Sequence, residues 1–141
     1  MRESFDSYML KIVEVVASRA TCPRRAVGAI AVNKNKHIMA TGYNGVPKGF
    51  PHCIDDPCGG QDLPSGTGLD KCLATHAEQN CLLQCNNVQD IYTIYLTVSP
   101  CVTCAKLIAN TGCKKIVYSE VYNNPEAFNI LHKAKIEITH A

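Results

Sequence analysis

The sequence contains no tryptophan, and phenylalanine, tryptophan and tyrosine together supply only 6% of its 141 residues. Its formal net charge is +2, so neither sign of charge is in strong excess. A protein that tracks single-stranded nucleic acid needs a basic groove and aromatic stacking platforms. Composition supplies neither, and nucleic acid is not an expected partner. No stretch reaches the roughly 18 apolar residues of a membrane-crossing helix, which removes the membrane as a partner as well. The opening Met1-Arg2-Glu3-Ser4-Phe5-Asp6 has no apolar run of the kind a secretory leader carries. Internal repeats and low-complexity tracts are also missing. Together these absences lead to the expectation of a single cytoplasmic domain over residues 1–141, long enough to bury one core.

Cysteine, by contrast, is abundant, with nine residues. In a small secreted chain that number would signal disulfides, but the odd count and the missing leader favour reduced thiols and metal ligands. Two of the nine lie in Pro100-Cys101-Val102-Thr103-Cys104, downstream of His76-Ala77-Glu78. Taken alone, a Cys-X-X-Cys pair fits equally well a redox couple or half of a structural zinc site, and a single histidine is more often a core or surface residue than a ligand. In combination, one imidazole and two thiolates make a three-ligand zinc site whose fourth position stays open. His76, Cys101 and Cys104 are therefore the expected metal ligands. Zinc held this way lowers the pKa of water from 15.7 to about 7 and makes a nucleophile at neutral pH. Glu78 is not needed as a ligand. This spacing resembles the signature of zinc deaminases that hydrolyse amino groups on bases, a reaction that requires protons at the ring nitrogen and at the departing ammonia, and the resemblance makes Glu78 the expected catalytic shuttle for both.

The pattern along the chain supplies a scaffold. Phe5, Tyr8, Met9, Ile12, Val15 and Val16 recur at helical spacing after Ser4, a suitable N-cap, and predict a helix over 4–18 packed on a sheet. Apolar runs at 26–32 and 37–41, joined by Asn33-Lys34-Asn35-Lys36, read as a hairpin. Residues 42 to 71 hold seven of the nine glycines and read as functional loops. A helix over 76–85 with Thr75 as N-cap, a strand at 91–98 and a helix opening at Pro100 follow. The chain then continues with a strand at 115–119, a helix near 125–133 and a strand at 135–139. Strands alternating with helices after an opening hairpin predict an α/β fold with a mixed sheet of about five strands and helices on both faces. Cys81, Cys85 and Cys113 fall within apolar patterns and read as core.

Beyond the zinc motifs, Thr21-Cys22-Pro23-Arg24-Arg25-Ala26-Val27-Gly28-Ala29, Thr41-Gly42-Tyr43-Asn44-Gly45, His76-Ala77-Glu78-Gln79-Asn80 and Lys115-Ile116-Val117-Tyr118-Ser119-Glu120-Val121-Tyr122 occur in order. With these four segments the chain resembles the deoxycytidylate (dCMP) deaminases of the cytidine deaminase superfamily, over nearly its whole length. The resemblance implies the three-layer cytidine-deaminase-like fold and zinc-dependent hydrolysis of dCMP to dUMP and ammonia, which supplies dUMP for thymidylate synthesis. It also implies that Asn44 contacts the deoxyribose, Arg24 the nucleotide phosphate, and Tyr122 the same end of the substrate. A guanidinium grips phosphate bidentately and a phenol adds one neutral donor. Without the resemblance Arg24 reads as a solvated loop cation and Tyr122 as a half-buried aromatic, and Arg25 rivals Arg24 for the phosphate.

Many members of this family are hexamers activated by dCTP with Mg²⁺ and inhibited by dTTP. By resemblance the effector loop is residues 43–49, with Tyr43, Asn44, Gly45 and Lys48 as its contacts, and a homo-oligomer is expected. Some relatives carry a second, structural zinc, for which Cys22, His52, Cys53, Cys58 and Cys72 are the soft ligands on offer; the alternative is that these thiols are simply core residues. Two other functions stay open: deamination of another cytosine nucleotide or of a polynucleotide, and a zinc-stabilised nucleotide sensor without turnover. Glu78 counts against the sensor, which needs no proton shuttle.

Overall fold

A computed structural model describes residues 1–22, 25–52 and 73–141. Helix α1 (Phe5–Ala17) precedes a hairpin of β1 (Gly28–Asn33) and β2 (Ile38–Tyr43). Next among the described residues come α2 (Ala77–Gln84), a single 3₁₀ turn (Val88–Asp90), β3 (Ile91–Val98), α3 (Val102–Ala109), β4 (Lys115–Glu120), α4 (Pro125–Lys133) and β5 (Glu137–His140). The five strands form one sheet in the order β2-β1-β3-β4-β5. β1 runs antiparallel to β2 and β3, whereas β3, β4 and β5 are mutually parallel, so the sheet is mixed as expected.

Alternation along β1 divides the core in two. Ile30 and Val32 face α1, where they pack with Met9, Val13, Tyr95 and Val117. Ala29 and Ala31 face the opposite way, into the larger cluster beneath α2, α3 and α4 that includes Ile94, Leu96, Ile108, Ile116 and Leu131. The result is three layers, with one helix on one face of the sheet and three on the other among the described residues. Close approach on both sides requires glycine. A Cβ at Gly28 would lie 2.5 Å from the Val13 carbonyl of α1, and one at Gly42 would collide with Ala77 O and Cys81 N of α2. The hairpin turn is closed by Asn33, whose Oδ1 accepts the N–H groups of Asn35 (2.9 Å) and His37 (3.0 Å).

Ser4 caps α1 as expected, its Oγ accepting the Ser7 N–H at 3.1 Å. Two other helix starts differ from expectation by one or two residues. The N-cap of α2 is His76 rather than Thr75, because Thr75 is held extended in a two-way backbone bridge to Gly45. α3 begins at Val102 rather than Pro100, with Cys101 in the capping position and its sulfur accepting the Cys104 N–H at 3.5 Å. No helix among the described residues is long and apolar enough to cross a membrane.

Candidate metal centre and surrounding site

Parallel pairing of β3 with β4 places the start of α3 and the segment after β4 at one end of the sheet, and the β2–α2 connection delivers His76 to the same end. Capping geometry then aims the ligand atoms. Gln79 Oε1 accepts the His76 N–H at 2.8 Å, fixing the backbone from which the imidazole projects. Nδ1 of His76 lies 3.3 Å from Cys104 Sγ and 3.5 Å from Cys101 Sγ. Zn–N near 2.05 Å and Zn–S near 2.3 Å at a tetrahedral angle require an N···S separation of about 3.6 Å, so both N···S separations suit a tetrahedral zinc ion, and all three atoms lie within 4.8 Å of one another. Among the described residues this is the one group of three or more His, Cys, Asp or Glu side chains close enough to share an ion.

The electrostatics suit a cation. Cys101 is pulled down to about 4, first by the hydrogen bond from the Cys104 thiol and then by His76, against the opposing effect of its burial. Cys104 is pushed up by the same bond seen from the donor's side and by burial. The pair thus shares one proton, which a zinc ion held by both sulfurs would displace, since it takes them as thiolates. His76 is raised, chiefly by its bond to Cys101. Both sulfurs sit in the first turn of α3, whose dipole also favours negative charge.

Glu78 is 5% exposed at the second position of α2. Burial raises its carboxyl to about 7, with the Cys101 charge acting in the same direction and bonds from its own backbone and from Cys104 opposing. A carboxyl balanced near neutrality both takes and gives protons. It stands beside the metal ligands without belonging to their cluster.

The neighbouring wall is built from main-chain clamps. Asn44 is buried, and its side chain works on its own protein: Oδ1 accepts the Val27 N–H at 2.8 Å and Nδ2 donates to the Arg25 carbonyl at 2.7 Å. Arg25 in turn holds its guanidinium 5.4 Å from the ring centroid of Tyr122. Two residues without an expected role join these pieces. Asn80 Nδ2 donates to Tyr43 O (2.8 Å) and Thr75 O (3.3 Å), tying the end of β2 to α2 and to the segment before it. Ser99 Oγ accepts the Tyr122 N–H at 2.6 Å and lies 3.3 Å from its carbonyl. Asn80 stood inside a matching segment and Ser99 beside Pro100, yet nothing in either position announced a clamp spanning tens of residues.

Arg24, Cys53, Cys58 and Cys72 lie outside the described residues. Of the other residues expected for a second zinc, Cys22 is buried and His52 exposed. In the expected effector loop Lys48 is exposed, Tyr43 half-buried, and Gly45 paired with Thr75.

Residues 3–120 match the model of the cytidine and deoxycytidylate deaminase zinc-binding region. The chain belongs to this family. Its zinc-binding region contains the His76, Cys101 and Cys104 triangle. Deoxycytidylate deaminase of Saccharomyces cerevisiae is 37% identical over 98% of this chain, and that of Mycobacterium phage D29 is 39% identical over 83% of this chain and 95% of its own length. The chain spans 45% and 44% of the length of the curated relatives it matches in Saccharomyces cerevisiae and Schizosaccharomyces pombe. Among solved structures, the dCMP deaminase of cyanophage S-TIM5 in complex with dCMP and dUMP is 29% identical with a TM-score of 0.79, covering 100% of this chain and 99% of that one. The three-layer arrangement is therefore the cytidine-deaminase-like fold shared with these family members.

Proposed function

We propose that this protein hydrolyses dCMP to dUMP and ammonia, with His76, Cys101 and Cys104 holding Zn²⁺ and Glu78 moving the protons. The observation that carries this reading is a buried carboxyl balanced near neutrality beside a His/Cys/Cys triangle of zinc dimensions. It is supported by the S-TIM5 relative, which was solved with dCMP and dUMP. Zn²⁺ in the triangle supplies the Lewis acidity that makes water nucleophilic at neutral pH.

The remaining work falls to the chain. Glu78 takes a proton from the nucleophilic water and delivers it to the ring nitrogen next to C4. The water oxygen is by then bonded to C4; Glu78, a carboxylate again, takes the proton left on that oxygen and passes it to the amino group as the C4–N bond breaks and the C4=O bond forms, so dUMP and ammonia leave with the Glu78 carboxylate restored. Burial of Glu78 keeps these transfers away from bulk water. Asn44 shapes the sugar side of the site, both by holding the 25–27 segment and through whatever donor and acceptor capacity its amide retains. The phosphate falls to the arginine pair, Arg24 or Arg25, together with Tyr122. The stacking of Arg25 on Tyr122 supports a guanidinium at that end of the site.

Control by dCTP with Mg²⁺ and by dTTP, a homo-oligomeric assembly and a supply of dUMP for thymidylate synthesis belong to the same proposal. The Gly45–Thr75 bridge and the Asn80 clamp support a path from the segment over 43–49 to the helix that His76 caps and that bears Glu78. The test is chromatographic identification of products from dCMP, deoxycytidine and dCTP offered separately to zinc-loaded protein. Conversion of dCMP to dUMP well ahead of the other two is expected; equal or preferential use of deoxycytidine would overturn the nucleotide assignment.

A further inference from the structure

The opposite end of the sheet carries a second concavity with a different chemistry. A cleft of about 360 Å³ opens between the start of α1, the β1–β2 turn and the first residues of β3 and β4. That volume falls within the range of small-ligand sites. Thr93, in the lining of the cleft, stands near the start of β3, and Ser99, beside Pro100 and Cys101, follows its end. At about 3.3 Å per strand residue, the cleft is roughly 20 Å from the zinc triangle.

Three cations line the cleft, Lys34, Lys36 and Lys115, against one carboxylate, Asp6. Asp6 is already engaged: Lys115 Nζ lies 3.4 Å from it and the Tyr95 hydroxyl donates to it. The net charge of the lining is therefore positive, with Lys34 exposed at the turn and in no ion pair among the described residues. Lys36 is placed by its left-handed turn backbone, φ 67°, and by the Phe5 ring 5.4 Å from its ammonium group. Beside these charges the lining is aromatic, with Phe5 and Tyr92, the latter 47% exposed near the start of β3. Multiple ammonium groups recognise a multiply charged anion, and exposed rings recognise a planar partner. Nothing in the proposed deamination uses either.

The geometry points to a second ligand site in this cleft, for a polyphosphorylated nucleotide whose phosphates meet Lys34 and Lys36 and whose base lies on Tyr92. The proposal does not depend on the catalytic reading, since it concerns binding at the far end of the sheet.

Isothermal titration calorimetry of the zinc-loaded full chain with magnesium-free ATP tests it, ATP being a purine without the cytosine amino group. Saturable binding is expected, weakened at least tenfold in Lys34→Ala/Lys36→Ala and several-fold in Tyr92→Ala, with adenosine and inorganic triphosphate each at least tenfold weaker than ATP. These side chains are exposed, so unchanged thermal unfolding is expected and confirms that the variants fold. Absence of saturable binding to the parent protein, unchanged affinity in the double lysine variant, or inorganic triphosphate binding as tightly as ATP would each overturn the site.

Discussion

Nδ1 of His76 and Sγ of Cys104, 28 residues apart in sequence, lie 3.3 Å from each other. Two elements from different parts of the fold have to be in register for that separation to occur, so zinc bound there links α2 to α3. Cys104→Ala should lose stoichiometric zinc and unfold at a temperature lower by about 5 °C or more, because binding free energy at such a site adds to folding free energy. Elemental analysis beside calorimetry of the parent and variant checks both halves.

Gly42 sets how closely α2 approaches β2. Any Cβ there meets backbone atoms, Ala77 O and Cys81 N, which cannot rotate away. Gly42→Ala should cost about 1 to 3 kcal/mol of stability and weaken zinc retention, because the helix that must retreat is the one capped by His76. Denaturant unfolding together with competition against a zinc chelator reads the two effects.

The Tyr95 hydroxyl donates to Asp6 beneath α1, and burial, aided by that carboxylate, raises its pKa above the ordinary value of 10. A raised acid keeps its proton longer in the folded than in the unfolded chain, so its contribution is complete below about pH 10 and declines as pH rises beyond that. Tyr95→Phe should lose about 1 to 2 kcal/mol at pH 8. The gap to the parent protein should close above pH 10, as thermal unfolding across pH 8 to 11 will show.

Arg25 and Tyr122 are 97 positions apart in sequence, and their contact supports the proposed placement of a guanidinium at the phosphate end of the site. Arg25→Ala should raise KM for dCMP tenfold or more, as loss of a charged contact worth about 1.5 to 3 kcal/mol implies, while turnover of deoxycytidine stays near its parent level. Steady-state kinetics with both substrates, run in parallel on Arg24→Ala, shows which of the two arginines carries the role.

Much of the scaffold was legible because period and chemistry agreed. Apolar spacing gave α1 with its Ser4 cap, and the limits of β3 at 91–98 and of α4 at 125–133 agree with the pattern. The helix starts at the metal centre were less legible, since His76 and Cys101 occupy capping positions that sequence rules reserve for better cap formers. There, tertiary demands outweighed local preference: Thr75 was taken by the bridge to Gly45. The three candidate ligands stand together as their residue types suggested, but the presentation of Nδ1 was not legible, because it depends on where the imidazole enters relative to two sulfurs from another element. The clamps made by Asn80 and Ser99 were invisible for the same reason: each joins segments whose proximity exists only in the fold.

The central claim is that Glu78, buried beside the zinc triangle, moves the protons of dCMP deamination. The most direct measurement is the ultraviolet change of dCMP with zinc-loaded parent protein and with Glu78→Gln carrying the same zinc content. Turnover by the parent and a loss of at least 10² to 10⁴-fold in the variant, with dCMP still bound, is the predicted result. Equal turnover by the two proteins, or none by a parent chain holding one zinc in this triangle, would contradict it.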